Sequence, residues 1–341
     1  MCGRTACTLE PNDIAASCTY TDKNGTRKQP HWVDAPGGQK YYPSYNKAPT
    51  SFNPVLTSSQ HFVKSDIKSE RDHILMPMKW GMTPSWHHGD PYKVPYETNN
   101  CRAEGMLDKK TYKVPLKKGY RCVVLADGFF EWQTTKEGKQ AFLFYFPQPE
   151  TVKFPFSVLD TSKKELKEHQ PSETCIKSEL KGEGYTDVGE PKVKQEFKDE
   201  NSGDYTVVEK SGPRLLTMAG VFDVWDPHDG SPPLYSYSVI TVSASSDMAW
   251  CHHRMPAILT TDEEIQDWLD FSNVPLDKAV SLIKPQVCLT YHPVSKAVNS
   301  SKCQSEDCVK PIELGKSKSN ASSNLMLNWL KSGSPAKKKK T

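Results

Sequence analysis

Apolar residues gather along this chain in short runs separated by turn-forming residues, a spacing that predicts strands more than long helices. One run covers 122–126; Asp127-Gly128, a strong turn dipeptide, closes it, and 129–132 resumes it. Stretches 141–146, 215–224, 234–242 and 287–292 are rich in aromatic and β-branched residues and predict further strands. Helices are few. Thr261 followed by Glu264 has the form of a capping box opening a helix through Trp268 and Leu269. Segments 276–283 and 12–18 predict two more. No internal repeat is visible. The pattern predicts an α+β fold with a substantial mixed or barrel-like β-sheet and a few short helices; the length allows one large domain or two ordinary ones.

Polar positions concentrate in three places. Segment 58–73 predicts a loop. Segment 148–213 is dense in Lys, Glu, Asp, Ser, Gly and Pro, with its few apolar residues (Val152, Phe154, Phe156, Val158, Leu159) near its start. Such a stretch buries too little surface to offset the entropy of ordering, which predicts a largely disordered insertion. The third place is a disordered tail over 301–341, ending in lysines 337–340.

Composition changes the picture only modestly. Forty-four Lys and Arg against 41 Asp and Glu give a net charge of +3, which excludes a histone-like basic coat. Hydrophobic residues are 36% of the chain and mean hydropathy is −0.65, as the polar segments require. No apolar run approaches the roughly 18 residues of a membrane span. The start, MCGRTACTLEPND, lacks the apolar core of a secretory signal. The ten cysteines contain no C-x-x-C pair and read as reduced, intracellular thiols. A zinc reading rests on Cys303 and Cys308 alone; no metal or other cofactor is expected.

Candidate chemistry starts at Cys2. A small second residue permits removal of the initiator Met, which leaves an α-amine beside a thiol. Their ordinary pKa values, about 8 and about 8.5, leave both partly deprotonated near neutral pH. A 1,2-aminothiol condenses with an aldehyde through nitrogen, then closes through sulfur to a thiazolidine. The alternative is an accidental cysteine in a frayed terminus. Within RCVVLADGFFEW (121–132), Glu131 is an acid among aromatics, where desolvation raises a carboxyl pKa; a solvent-facing Glu on an alternating strand is the other reading. In CHHRMPAIL (251–259), an imidazole to move protons stands next to Arg254, a holder of anions. Asn99, Asn100 and Arg102 form a further polar cluster, and Trp80 and Trp86 read as core or as base-stacking surface.

These blocks occur in a fixed order: MCGR, PSYNKAP (43–49), MKWGMTPSW, NNCRAE, ADGFFEW, MAGVFDVW, HHRMPAIL and HPVS (292–295). In this the chain resembles the SOS response-associated peptidase (SRAP) family over about residues 2–300. The resemblance implies a sensor and shield of abasic sites in single-stranded DNA, with no membrane partner, acting as a monomer. Cys2 would form a covalent thiazolidine crosslink with the ring-opened sugar, preventing strand cleavage and reversing slowly. It implies Glu131 as proton shuttle, His252 as the acid that opens the sugar, and Asn100 as the residue that orients the cysteine. Arg4, Arg102 and Arg254 would bind phosphates, while Trp80, Tyr96 and Trp132 would support or wedge bases. The family's peptidase label implies processing at the terminus, with lyase-like chemistry on DNA.

The tail adds an apolar island, Asn324, Leu325, Met326, Leu327, Asn328, Trp329 and Leu330. It is similar to a degenerate PCNA-interacting box, which implies a nuclear protein at replication forks. Lys337 to Lys340 read as a nuclear signal or a nonspecific DNA contact, and IKSE (176–179) and VKQE (193–196) fit a sumoylation pattern. Two other readings stay open. One is a glutamine amidotransferase with an N-terminal cysteine nucleophile; the other is a noncatalytic reader of modified DNA or a fork adaptor.

Overall fold

The computed structural model describes residues 3–22, 24–62, 73–136, 138–149 and 212–314. The chain opens with β1 (Thr5–Cys7) and α1 (Pro11–Ser17), followed by the two-residue strands β2 (Tyr20–Thr21), β3 (Arg27–Lys28) and β4 (His31–Trp32). Strands β5 (Ser44–Lys47), β6 (Phe52–Ser58), β7 (His73–Trp80) and β8 (Asn100–Arg102) lead to α2 (Lys110–Lys117). The central strands are β9 (Arg121–Ala126), β10 (Gly128–Thr135), β11 (Gly138–Tyr145), β12 (Leu216–Trp225) and β13 (Leu234–Ser243). Then come β14 (Arg254–Pro256), α3 (Asp262–Leu269), α4 (Leu276–Val280) and β15 (Thr290–Pro293).

Two sheets hold the molecule. In the larger, the order β13-β12-β9-β6-β7 returns to β13 through a parallel β13–β7 pairing, closing a five-stranded ring. β14, β4 and β8 attach to that ring. The other sheet has the order β15-β11-β10-β1-β5. A mixed, barrel-like sheet with four short α-helices among the described residues is the α+β architecture the pattern predicts.

Asp127-Gly128 does not make the expected local turn. β9 belongs to the ring and β10 to the second sheet, so this dipeptide carries the chain from one sheet to the other. Asp127 is fully buried. Its backbone N–H donates to Ala6 O (2.8 Å), and its carboxylate accepts from Thr8 N (2.7 Å) and Thr8 Oγ1 (2.6 Å). Gly128 is required by close approach: a Cβ there would lie 2.7 Å from Phe144 O.

Two central strands, β6 and β7, escape a sequence reading because each contains a proline. Pro54 and Pro77 share one rung of their antiparallel ladder. The β6–β9 ladder begins only at Val55. On the far edge of β7, β4 covers Ile74–Leu75 and β13 covers Lys79–Trp80. Both prolines thus sit where a missing N–H breaks no outer rung.

Other differences are local. Thr261 caps α3 as predicted, accepting from Glu264 N at 3.1 Å. The helix expected over 276–283 stops at Val280, and the strand expected from 287 begins at Thr290. Of the polar segment 58–73, Ser58 and His73 end strands and 59–62 form a 3₁₀ turn that buries Phe62. The tail placed at 301–341 needs correction: Cys308 and Val309 are fully buried and Val294 bridges Pro311. The packed body therefore continues at least through Ile312, whose N–H donates to Pro293 O (3.0 Å), because Cys308 and Val309 join Ala6, Phe130 and Leu143 in one apolar cluster.

Candidate functional site

β10 runs from the interior outward. Gly128 to Glu131 are buried, Trp132 and Gln133 half-buried, and Thr134 and Thr135 exposed. On one side it pairs with β11, where Glu131 opposes Phe142. On the other it pairs with β1, and Phe130 N donates to Arg4 O at 2.9 Å. The first described residues of the chain therefore lie beside the strand that bears Glu131. Cys2 itself lies outside the described residues.

Glu131 is 3% exposed. Burial raises its carboxyl to about 7, since a low-dielectric surround penalises the ionised form. His252 Nδ1 stands 4.0 Å from Glu131 Oε1, and also 3.1 Å from Arg254 O and 3.2 Å from Arg254 N. Burial lowers the His252 pKa below the usual imidazole value. Burial thus disfavours the charged form of both groups, and it leaves Glu131 able to hold or release a proton near neutral pH, as general acid–base work requires. Glu131, Trp132, Thr134, Lys139, His252 and Asn299 line one cavity of about 420 Å³.

The Trp132 indole donates to Asn299 Oδ1 (2.7 Å). Arg4 reaches the same segment: its Nη1 donates to Asn46 Oδ1 and Val298 O, each at 2.8 Å, and its Nη2 to Asn299 O at 3.5 Å. Arg254 is buried and forks onto Glu104, Nη1 to Oε1 at 2.5 Å and Nη2 to Oε2 at 2.9 Å, with Nη2 also donating to Thr241 O at 2.6 Å. Arg102 is exposed at the end of β8. Three guanidiniums turned together toward one phosphate track are therefore not what the fold presents. Arg4 ties β1 to the 298–299 segment, and Arg254 is engaged by a carboxylate where an anion would sit.

Trp80 and Tyr96 meet elsewhere, in a cavity of about 350 Å³ that includes Pro49, Thr50, Lys79 and Asn99. Trp80 is 1% exposed and stacks on Tyr237 with ring centroids 6.4 Å apart. Of its two readings the structure selects core: it is a wall of this cavity, with no open face for a base. Tyr96, at 41% exposed, stacks near Trp86. Asn100 sits on β8 opposite Val239, and its carbonyl accepts from Tyr112 OH at 3.1 Å; it does not line the Glu131 cavity.

Sequence reasoning passed over Glu104, Lys139, Asn46 and Asn299. Asn46 lies inside the PSYNKAP block and Asn299 just after HPVS, but only the packing of β5 and 298–303 around Arg4 gives them a purpose. Lys79 was also missed: buried, it donates to Gly81 O (2.6 Å), and burial lowers it to about 8. Among the described residues no group of three or more His, Cys, Asp or Glu is placed to hold a metal ion. The motif 324–330, lysines 337–340 and both sumoylation patterns lie outside the described residues.

A frog protein from Xenopus tropicalis, "Abasic site processing protein HMCES", is 45% identical over 99% of this chain and 87% of its own length. The protein of the same name from Gallus gallus is 44% identical over 100% of this chain and 88% of its own. "Abasic site processing protein YoqW" of Bacillus subtilis is 26% identical over 80% and 87%. A solved structure from Bacteroides thetaiotaomicron superposes with a TM-score of 0.57 at 18% identity, covering 91% of this chain and all of that one; at that identity it bears on the fold alone. The sequence model described as SOS response associated peptidase (SRAP) matches residues 1–178 and 190–301. On the ordered motifs, the fold and these matches, the chain belongs to the SRAP family.

Proposed function

We propose that this protein processes abasic sites in single-stranded DNA, capturing the ring-opened sugar covalently through Cys2. The observation that carries the reading is Glu131: a buried carboxyl raised to about 7, 4.0 Å from His252, in a cavity beside the strand that follows Cys2. The names of the frog, chicken and Bacillus relatives support the substrate class.

The chemistry suits these groups. With the initiator Met removed, the Cys2 amine adds to the sugar aldehyde to give a carbinolamine. Protonated Glu131 donates to the departing hydroxyl, which leaves as water, and an imine forms. The Cys2 sulfur then adds to the imine carbon while its proton passes to nitrogen, giving a thiazolidine. Ring closure removes the imine that would otherwise promote β-elimination, so the strand stays intact. His252 exchanges protons with the sugar oxygen during ring opening. Arg102 and Arg254 take flanking phosphates, Glu104 yielding its place on Arg254. Asn100 orients the cysteine, and Tyr96 and Trp132 flank the bases. The tail 324–330 docks on the replicative clamp PCNA and brings a nuclear monomer to forks.

The test mixes purified protein with single-stranded DNA carrying one abasic site, followed by a denaturing gel. The expected result is a heat-stable shifted band without borohydride, absent in Cys2→Ala. A Cys2→Ala protein that forms the same band removes the thiazolidine, and a parent protein that forms no band favours the noncatalytic rival.

A further inference from the structure

Of the thiols that the mechanism leaves unused, two touch. Cys308 Sγ lies 3.5 Å from Cys303 Sγ. Cys308 is fully buried, while Cys303 is half-buried at the edge of the same turn. The turn is held from both sides. Cys303 N donates to Ser300 O (3.0 Å) and Cys308 N to Ser305 O (3.0 Å). Asn46 Nδ2 donates to Ser300 O at 2.9 Å and to Cys303 O at 2.8 Å. Behind Cys308, His292 Nε2 and Val309 O are 2.7 Å apart, and Ser295 Oγ donates to Asp307 O at 2.9 Å. Two sulfurs kept this close by surrounding backbone need little rearrangement to bond.

We propose that Cys303 and Cys308 are a redox pair, oxidised by hydrogen peroxide to a disulfide. The step has an asymmetry that names the attacking sulfur. Cys303 is the accessible thiol, and hydrogen bonding from Ser305 and from the Cys308 thiol lowers its pKa. Burial instead raises Cys308 to about 12. The Cys303 thiolate attacks the peroxide O–O bond. One oxygen stays on sulfur as the sulfenic acid, and the other leaves and is protonated to water. Cys308 sulfur, giving up its proton, then attacks Cys303 sulfur; the S–O bond breaks and hydroxide leaves with that proton as a second water. Two thiols and one peroxide thus yield one disulfide and two waters.

The location gives the modification a consequence. Asn46, which bonds Cys303 O, also accepts from Arg4, and Asn299, four residues before Cys303, accepts from Trp132. The disulfide fastens the segment on which Arg4 and Trp132 are set. The inference rests on the sulfur geometry and stands apart from the DNA reading.

The experiment treats the full chain with graded hydrogen peroxide, blocks remaining thiols with a maleimide, digests with trypsin and weighs the peptides. Trypsin spares Lys310-Pro311, so both sulfurs fall in one peptide, 303–316. The expected product is that peptide lighter by two hydrogens and unlabelled. It should appear roughly tenfold faster than loss of the half-buried Cys288 thiol, which burial raises to about 11. Cys308→Ser should accumulate a sulfenic acid at Cys303, captured by dimedone, whereas Cys303→Ser should leave Cys308 unlabelled. Maleimide on both sulfurs at doses that consume Cys288, or dimedone on Cys308 in Cys303→Ser, overturns the proposal. The wild-type peptide decides the matter even if a serine at the buried position 308 impairs folding.

Discussion

Glu131 carries an energetic cost that titration exposes. Its folded pKa of about 7 lies above the ordinary 4.5. Between those values the native state holds a proton that the unfolded chain has released, so stability falls as pH rises from about 4.5 to 7. Glu131→Gln removes that ionisation. Urea titrations should find the variant about 1–3 kcal/mol more stable than the parent at pH 8 and no more stable at pH 4. Asp127, raised to about 6 by burial, has the same sign and should leave a residual slope between about pH 4 and 6 in the variant. If Glu131 works as a proton shuttle, Glu131→Gln should also slow reversal of the crosslink more than it weakens DNA binding, read by chasing a preformed adduct. Arg254 offers a second residue-scale test. The Glu104 carboxylate, held below its usual pKa by hydrogen bonding from Arg254, occupies the guanidinium fork. Glu104→Gln should tighten binding to intact single-stranded DNA about threefold and steepen its salt dependence by about one counterion. Unchanged anisotropy titrations at two salt concentrations would remove Arg254 from the interface.

At the scale of elements, β10 starts at the crossover between the two sheets and places the acid, and Gly128 is its vulnerable point. An alanine Cβ there would lie 2.7 Å from Phe144 O and 2.9 Å from Leu143 Cδ1, and backbone cannot retreat as a flexible side chain can. Gly128→Ala should cost about 2–4 kcal/mol by chemical denaturation. It should also lower crosslinking, since β10 cannot shift without moving Glu131. The β strand β10 was legible from sequence because Phe129, Phe130 and Trp132 mark it. The two proline-bearing strands were not, because Pro54 and Pro77 are harmless only by virtue of where the neighbouring ladders stop. Capping of α3 was legible for the opposite reason: the Thr261 and Glu264 interaction is local and needs no partner from elsewhere.

For the whole molecule, the boundary near residue 300 is the consequential revision. Residues 302–314 are mostly polar, yet they bury Cys308 and Val309 against a cluster containing Ala6 and Phe130. Truncation after 301 should therefore lower the melting temperature by about 5 °C or more relative to truncation after 314, read by calorimetry. Equal melting of the two would show that the segment adds nothing to the packed body. The near-neutral charge also takes on meaning at this scale. With Arg4 bonded to Asn46 and to the carbonyls of Val298 and Asn299, and Arg254 forked on Glu104, two of the arginines spend their charge inside the protein, and a net charge of +3 supplies no broad basic coat.

Motif order by itself determined the family, and alternation of apolar and polar residues determined the fold class, because both are written in near neighbours along the chain. The candidacy of Glu131 was written there too, as was that of the histidine pair, from which the family resemblance picked His252. Tertiary structure decided what surrounds them. It brought His252 to 4.0 Å from Glu131 across 121 positions of sequence, set Trp80 in the core, and gave Arg254 a carboxylate partner 150 residues away. It also laid Cys308 against Cys303 under the segment that holds Arg4. Burial and pairing depend on which distant strands share a sheet, and no local pattern encodes a ring closed by β7 returning to β13.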